Sequence, residues 1–90
     1  MSNVDDARAT GVSFTSDKVV VRLADGRDIG IPLTWYPRLH DAVEKDREFF
    51  ELIGDGEYIH WPRIDEDLSV AGILRGTPSP EAGIKRGARG

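Results

Sequence analysis

Cysteine is absent from the chain and methionine occurs once, so disulfides, zinc–thiolate centres and thiol catalysis are excluded, and the composition suits a reducing compartment. Long apolar runs are also missing. No stretch approaches the roughly 20 apolar residues of a membrane-crossing helix, and the opening MSNVDDARAT carries acids where a secretory leader has a basic and then an apolar segment. A cytoplasmic protein without a membrane span is expected. Glycine-rich phosphate loops, helix-turn-helix patterns, zinc-ligand spacings and internal repeats are equally lacking. At 90 residues there is room for one domain with a modest core.

The net charge of -4 conceals an asymmetry. Lys85, Arg86 and Arg89 against Glu81 give residues 77–90 a balance of +2, which leaves -6 on residues 1–76. An acidic body disfavours non-specific attachment to nucleic acid, whose affinity rests on neutralised phosphates, and favours basic partners.

What is present is patterned. Residues 1–10 are polar and aperiodic and read as a flexible arm; residues 11–76 form the domain; residues 77–90, with Thr77-Pro78-Ser79-Pro80 and small and basic residues, read as a disordered basic tail. Val12 and Phe14 alternate with Ser13 and Thr15 in a first strand, ended by Ser16-Asp17. Val19, Val21 and Leu23 alternate in a second, and Ile29, Ile31 and Leu33 in a third. The connection between these two is decided by faces. A two-residue Asp25-Gly26 loop would set Arg22 opposite Ile29 and mix apolar with polar sides; a three-residue loop, Ala24-Asp25-Gly26, pairs Val21 with Ile29 and Val19 with Ile31, with Gly26 left-handed.

After Pro32 the period changes. Thr34 can cap a helix with Pro37 in its first turn, and Trp35, Leu39, Ala42 and Val43 recur on one face, which predicts an amphipathic helix lying on the sheet. Phe49, Phe50, Leu52 and Ile53 read as buried strand. Gly54-Asp55-Gly56 is a turn, Tyr58–Trp61 a short strand stopped by Pro62, and Ile64 a plug from an acidic loop. Ser69 or Asp67 can cap a last helix with Val70, Ile73 and Leu74 inward, closed by Gly76. The expected fold is α+β: a small antiparallel sheet, beginning with a three-stranded meander and completed by later strands, covered by a central helix and followed by a short C-terminal one.

Chemistry is sparse. His60 could act as a general base, yet no nucleophile motif accompanies it, and on a strand His60 and Trp61 point to opposite faces. Asp65, Glu66 and Asp67 could join His60 around a metal. A calcium loop counted from Asp55 fails, because Ile59 occupies its fifth position and His60 its required glycine; the acids are better read as setting the loop and capping the final helix. Arg38, Arg47, Arg63 and Arg75 could meet phosphates, but direct specific nucleic-acid binding is not expected from an acidic body without a recognition motif. No catalytic, cofactor or metal residue is assigned, and no enzyme activity is expected. The candidate interaction surface comprises Trp35, Tyr36, Arg38, Tyr58, His60, Trp61, Arg63, Asp65, Glu66 and Asp67, since aromatics and arginine dominate binding hot spots.

The successions DGRDIGIPLTWYPRL and IGDGEYIHWPRIDEDLSVAGIL resemble the domain-of-unknown-function family twenty-four forty-two, with its W-[FY]-P-R-L helix and its closing I-H-W-P-x-[IL]-D-E-D-[IL]-S-V segment. The resemblance covers about Val12 to Gly76. It implies a small α+β domain without an established activity. Its signature positions fall here on Asp25, Gly26, Pro32, Trp35, Pro37, Arg38, Leu39, Gly56, His60, Trp61, Pro62, Asp65, Glu66 and Asp67. Some members resemble this domain fused to a helix-turn-helix, for which the stretch after Gly76 has no room. Others lie beside a second small domain in pairs similar to toxin–antitoxin modules. The expectation is therefore a non-enzymatic protein-interaction module, the antitoxin-like or accessory half of a bacterial two-protein system, with a protein partner encoded nearby. Two alternatives stand beside it: a small enzyme or metal-binding protein using His60 with Asp65 and Asp67, and a DNA-associated regulator acting through a partner.

Overall fold

A computed structural model describes residues 8–76; the seven residues before and the expected tail, 77–90, lie outside the described residues. Strands β1 (Ala9–Phe14), β2 (Lys18–Leu23) and β3 (Asp28–Pro32) form an antiparallel sheet in that order. The register is the one that the side-chain faces demand: Val21 lies opposite Ile29 and Val19 opposite Ile31. Leu23 donates its N–H to the Arg27 carbonyl at 2.8 Å, and Gly26 takes φ 98° in the bulged turn. Val19, Val21 and Leu23 are buried, while Lys18 and Arg22 face solvent.

Strand β1 starts two residues before Gly11, inside the expected arm. Ala9 donates to the Gly56 carbonyl at 2.7 Å and the Arg8 carbonyl accepts from Ala24 at 2.8 Å. These bonds, rather than side-chain alternation, hold the start of the strand, and the register shifts between Ala9 and Gly11. That is why the period of two was not visible there.

The expected central helix is replaced by three short pieces. A single 3-10 turn, Leu33–Trp35, precedes α1 (Pro37–Asp41) and α2 (Glu44–Glu48), and Thr34 caps none of them. Pro37 does occupy the start of α1, where its missing N–H is harmless. Ala42 and Val43 are extended, with ψ 149° and 161°. Arg47 explains the break: its Nε donates to the Leu39 carbonyl at 3.0 Å and its Nη2 to the His40 carbonyl at 3.1 Å. Carbonyls that a continuing helix would have used are satisfied by a side chain instead. Val43 consequently points outward, 63% exposed, rather than sharing a face with buried Leu39.

The later strands do not extend the first sheet. β4 (Glu51–Ile53), β5 (Tyr58–Trp61) and β6 (Glu66–Ser69) form a second antiparallel sheet, β4-β5-β6. The acidic stretch read as a loop is thus largely a strand: Glu66 pairs with Trp61, Asp67 with His60 and Leu68 with Ile59. Glu66 and Asp67 do not cap the last helix. Ser69 does, its Oγ accepting from the Gly72 N–H at 3.1 Å at the head of α3 (Val70–Arg75), and Gly76 closes that helix at φ 81°. Val70 and Ile73 are buried, whereas Leu74 is exposed. One apolar cluster joins both sheets, with Val19, Val21, Leu23, Ile31, Leu39, Ile59, Trp61 and Leu68 at its centre.

Candidate functional site

Trp61 is fully buried, and its surroundings show why. Phe14 from the first sheet meets it edge-on at 6.5 Å and Phe50 at 6.2 Å, while the indole N–H donates to the Arg47 carbonyl at 2.9 Å. Both halves of the indole are used, the apolar body in the core and the polar tip on a backbone acceptor. Arg47 also lies over the Phe14 ring at 5.2 Å. Trp61 therefore belongs to the core and not to the candidate surface.

Tyr36 and Glu66 are corrected likewise. Tyr36 is buried beside Glu66, and burial, reinforced by that carboxylate, pushes the phenol pKa up to about 12. Glu66 is buried at 6% exposure, and its Oε2 accepts the Asp67 N–H at 3.2 Å. Alternation along β6 turns Glu66 and Leu68 inward, so the middle acid of the run faces the core rather than the outer surface. Trp35 is half-buried against the core.

Arg38 has a structural use. Its Nη1 donates to the Asp65 carbonyl at 2.6 Å and approaches the Asp65 carboxylate at 3.6 Å, holding a loop whose Asp65 has φ 54°. The WYPRL stretch thereby clamps the turn before β6. Arg63 stacks on the Phe49 ring at 4.6 Å and reaches Asp46 at 3.5 Å.

Of the candidate residues, Tyr58, His60 and Asp67 share the outer face of the second sheet, whereas Arg38, Arg63 and Asp65 lie exposed away from it. Pairing places Glu51, His60 and Asp67 side by side across the three strands, and Ile53, Tyr58 and Ser69 in the adjacent row. His60 Nδ1 and Asp67 Oδ1 are 2.6 Å apart. This hydrogen bond, with the charges of Asp67, Glu51 and Asp65, raises the His60 pKa above its ordinary value against the opposing effect of desolvation. The imidazolium is the favoured partner of so many carboxylates. Asp65 contributes only charge, because its loop turns it toward Arg38.

A histidine oriented by an aspartate is one part of a catalytic array. Ser69 Oγ is committed to the helix cap. Among the described residues no group of three His, Asp or Glu side chains could hold a metal ion. Cavities of about 310 and 460 Å³ lie on the first sheet, the larger between β1, α2 and Phe50. The His60 face is a sheet surface.

Sequence reasoning passed over Arg47 and Glu51 as organising residues, and placed Gly56 only as a turn and signature position. Arg47 could not be recognised, since what it bonds is backbone eight residues away. Gly56 carried a readable signal in the Gly54-Asp55-Gly56 triplet, all three at positive φ, but its contact with β1 is tertiary.

Fold and site define a small α+β domain whose exposed feature is a charged and aromatic sheet face. The chain belongs to the family described as "Protein of unknown function (DUF2442)", whose pattern matches residues 9–79. It is similar to a protein of unknown function from Rhodospirillum rubrum, known as a crystal structure, with a TM-score of 0.69 and 28% identity over 83% of this chain and 93% of that one. It also shares its fold with an uncharacterized protein from Chromobacterium violaceum solved by solution NMR, with a TM-score of 0.75 and 18% identity over 92% of this chain and 78% of that one. No curated protein matches the chain.

Proposed function

We propose that the domain is a non-enzymatic protein-interaction module that recognises its partner through the outer face of β4-β5-β6. One observation carries this reading: Ile53 and Tyr58, 43% and 47% exposed, lie on the same sheet face as the Glu51–His60–Asp67 row. An exposed aromatic and an aliphatic side chain beside a charged row combine hot-spot anchoring with orientation-specific electrostatics. The acidic body favours a basic complementary surface. The family resemblance adds a context, the antitoxin-like or accessory half of a bacterial two-protein system, with the partner encoded by a neighbouring gene.

Co-purification with the neighbouring gene product tests the reading. Tyr58→Ala and Asp67→Ala should each release the partner while leaving the far-ultraviolet circular dichroism unchanged. Retention by both variants would refute the assignment of this face. Trp61→Ala is no test, because it empties the core.

A second reading rests on the 2.6 Å His60–Asp67 contact, the arrangement by which an acid orients a histidine for general-base work. It predicts hydrolysis of an activated ester that rises as His60 deprotonates and vanishes in His60→Gln. Activity indistinguishable from that variant would remove it.

A further inference from the structure

We propose that two copies of this chain pair antiparallel through the free edge of β4, about a two-fold axis at Leu52, merging their second sheets into one six-stranded sheet. The inference is independent of the outer-face reading, since edge pairing leaves that face open on both copies.

The backbone sets the register. Val70 donates its N–H to the Glu57 carbonyl, so Glu57 and, by alternation, Ile59 and Trp61 direct their hydrogen bonds toward β6. Tyr58 and His60 then bond toward β4, to Ile53 and Glu51, their partners in the ladder. Leu52 alternates with these two, and its N–H and C=O are aimed away from β5, at the open side of a strand that ends the sheet. A two-fold axis at Leu52 sets that residue opposite its own copy and closes a pair of N–H···O=C bonds. A slip by one residue would bring Leu52 against groups that already bond β5 and would reverse the faces.

The side chains agree with this register. Leu52 and Ile53 on β4, and Phe49 just before it, are exposed along this rim, where edge strands are ordinarily guarded by charge. Glu51 falls opposite the second copy's Ile53, so no like charges are directly opposed. The hairpin turn after β4, which carries Asp55, comes to the end of the second copy's strand preceded by Phe49, whose ring carries the Arg63 guanidinium at 4.6 Å. Symmetry makes that acid-to-base match twice, which is the complementarity of a surface for itself rather than for an unrelated strand.

Sedimentation of the full chain from low micromolar to near-millimolar concentration provides the test. A reversible monomer–dimer equilibrium is expected. Leu52→Lys should leave a monomer with unchanged circular dichroism. Asp55→Asn, which tolerates the left-handed backbone, and Arg63→Glu should each weaken the dimer roughly tenfold, the effect of two exposed ion pairs lost at once, and Asp55→Lys with Arg63→Glu should restore it. A monomer at every concentration overturns the proposal, as does a dimer indifferent to Leu52→Lys or a charge exchange without rescue. None of these results touches partner release by Tyr58→Ala, so the two readings fail separately.

Discussion

Replacing Gly56 by alanine tests how the two sheets are joined. Gly56 has φ 94°, and a Cβ built on it would lie 2.3 Å from the Ala9 carbonyl oxygen and 2.9 Å from the Ala9 nitrogen, both backbone atoms that cannot rotate aside. Gly26 has nearly the same φ, 98°, with nothing within 4 Å of a Cβ. The left-handed backbone alone costs an alanine about 1–2 kcal/mol, and Gly26→Ala should lose that much. Gly56→Ala adds the displacement of β1, with about 0.5–1.5 kcal/mol for the 2.7 Å bond from the Ala9 N–H to the Gly56 carbonyl and about 1–3 kcal/mol for overpacking. The total is roughly 3–6 kcal/mol, a large part of the stability of a domain of this size, about 5–13 kcal/mol. Urea unfolding followed by tryptophan fluorescence reads both variants, because Trp61 is fully buried. If the two differ by less than about 1 kcal/mol, Ala9 does not press on Gly56 and the account of the junction is wrong.

Trp61→Phe keeps a ring in the core but leaves the Arg47 carbonyl without the indole N–H; a loss of about 2 kcal/mol is expected in urea unfolding followed by circular dichroism. The His60 pKa is raised in the fold, so its pairing with Asp67 stabilises fully below the unfolded value near 6.5 and fades as pH rises through the folded pKa. Proton NMR should find it above 6.5 in the native chain and lowered in Asp67→Asn; an unchanged pKa in that variant removes Asp67 as the cause. Tyr36, with its pKa pushed up to about 12, stays neutral in the fold while the unfolded chain ionises near 10, so stability contributed below pH 10 is lost as pH rises toward 12. Alkaline unfolding should shift to higher pH in Tyr36→Phe, provided its neutral-pH stability is matched. Ser69→Ala should destabilise by about 1 kcal/mol through loss of the α3 cap, measurable in the same urea assay.

The two halves of the chain differed in how far they could be read. From Val12 to Pro32 each strand is half-buried against solvent, so alternation is strong, and three strands in a row leave one loop length that keeps apolar faces together. The left-handed Gly76 was equally legible and the final cap was narrowed to Ser69 or Asp67, because their signals are local; the fold chose Ser69. The stretch from Leu33 to Ile53 was not. Its apolar spacing fits a helix, but Arg47 captures the Leu39 and His40 carbonyls, and a side chain that bonds distant backbone leaves no periodicity. Phe49, Leu52 and Ile53 have the composition of buried strand and lie exposed: Phe49 falls before β4, Leu52 sits on an edge strand and Ile53 on the outer face.

The site followed the same division. That His60 and Trp61 face opposite ways follows from the pleat, and the sequence alone determined it, along with the α+β class, the acidic body and the β2–β3 register. Which of the two faces inward was decided by tertiary structure, through Phe14, Phe50 and the Arg47 carbonyl gathered around one indole. So was the fate of the three acids: Asp65 is turned to Arg38, Glu66 is buried beside Tyr36, and Asp67 is set against His60 by a strand pairing that a run of carboxylates does not announce. Local geometry can be read from neighbours in the chain, because pleat, turn and cap act over a few residues. Burial and ion pairing depend on which strand arrives opposite, and only the folded chain brings that strand into place.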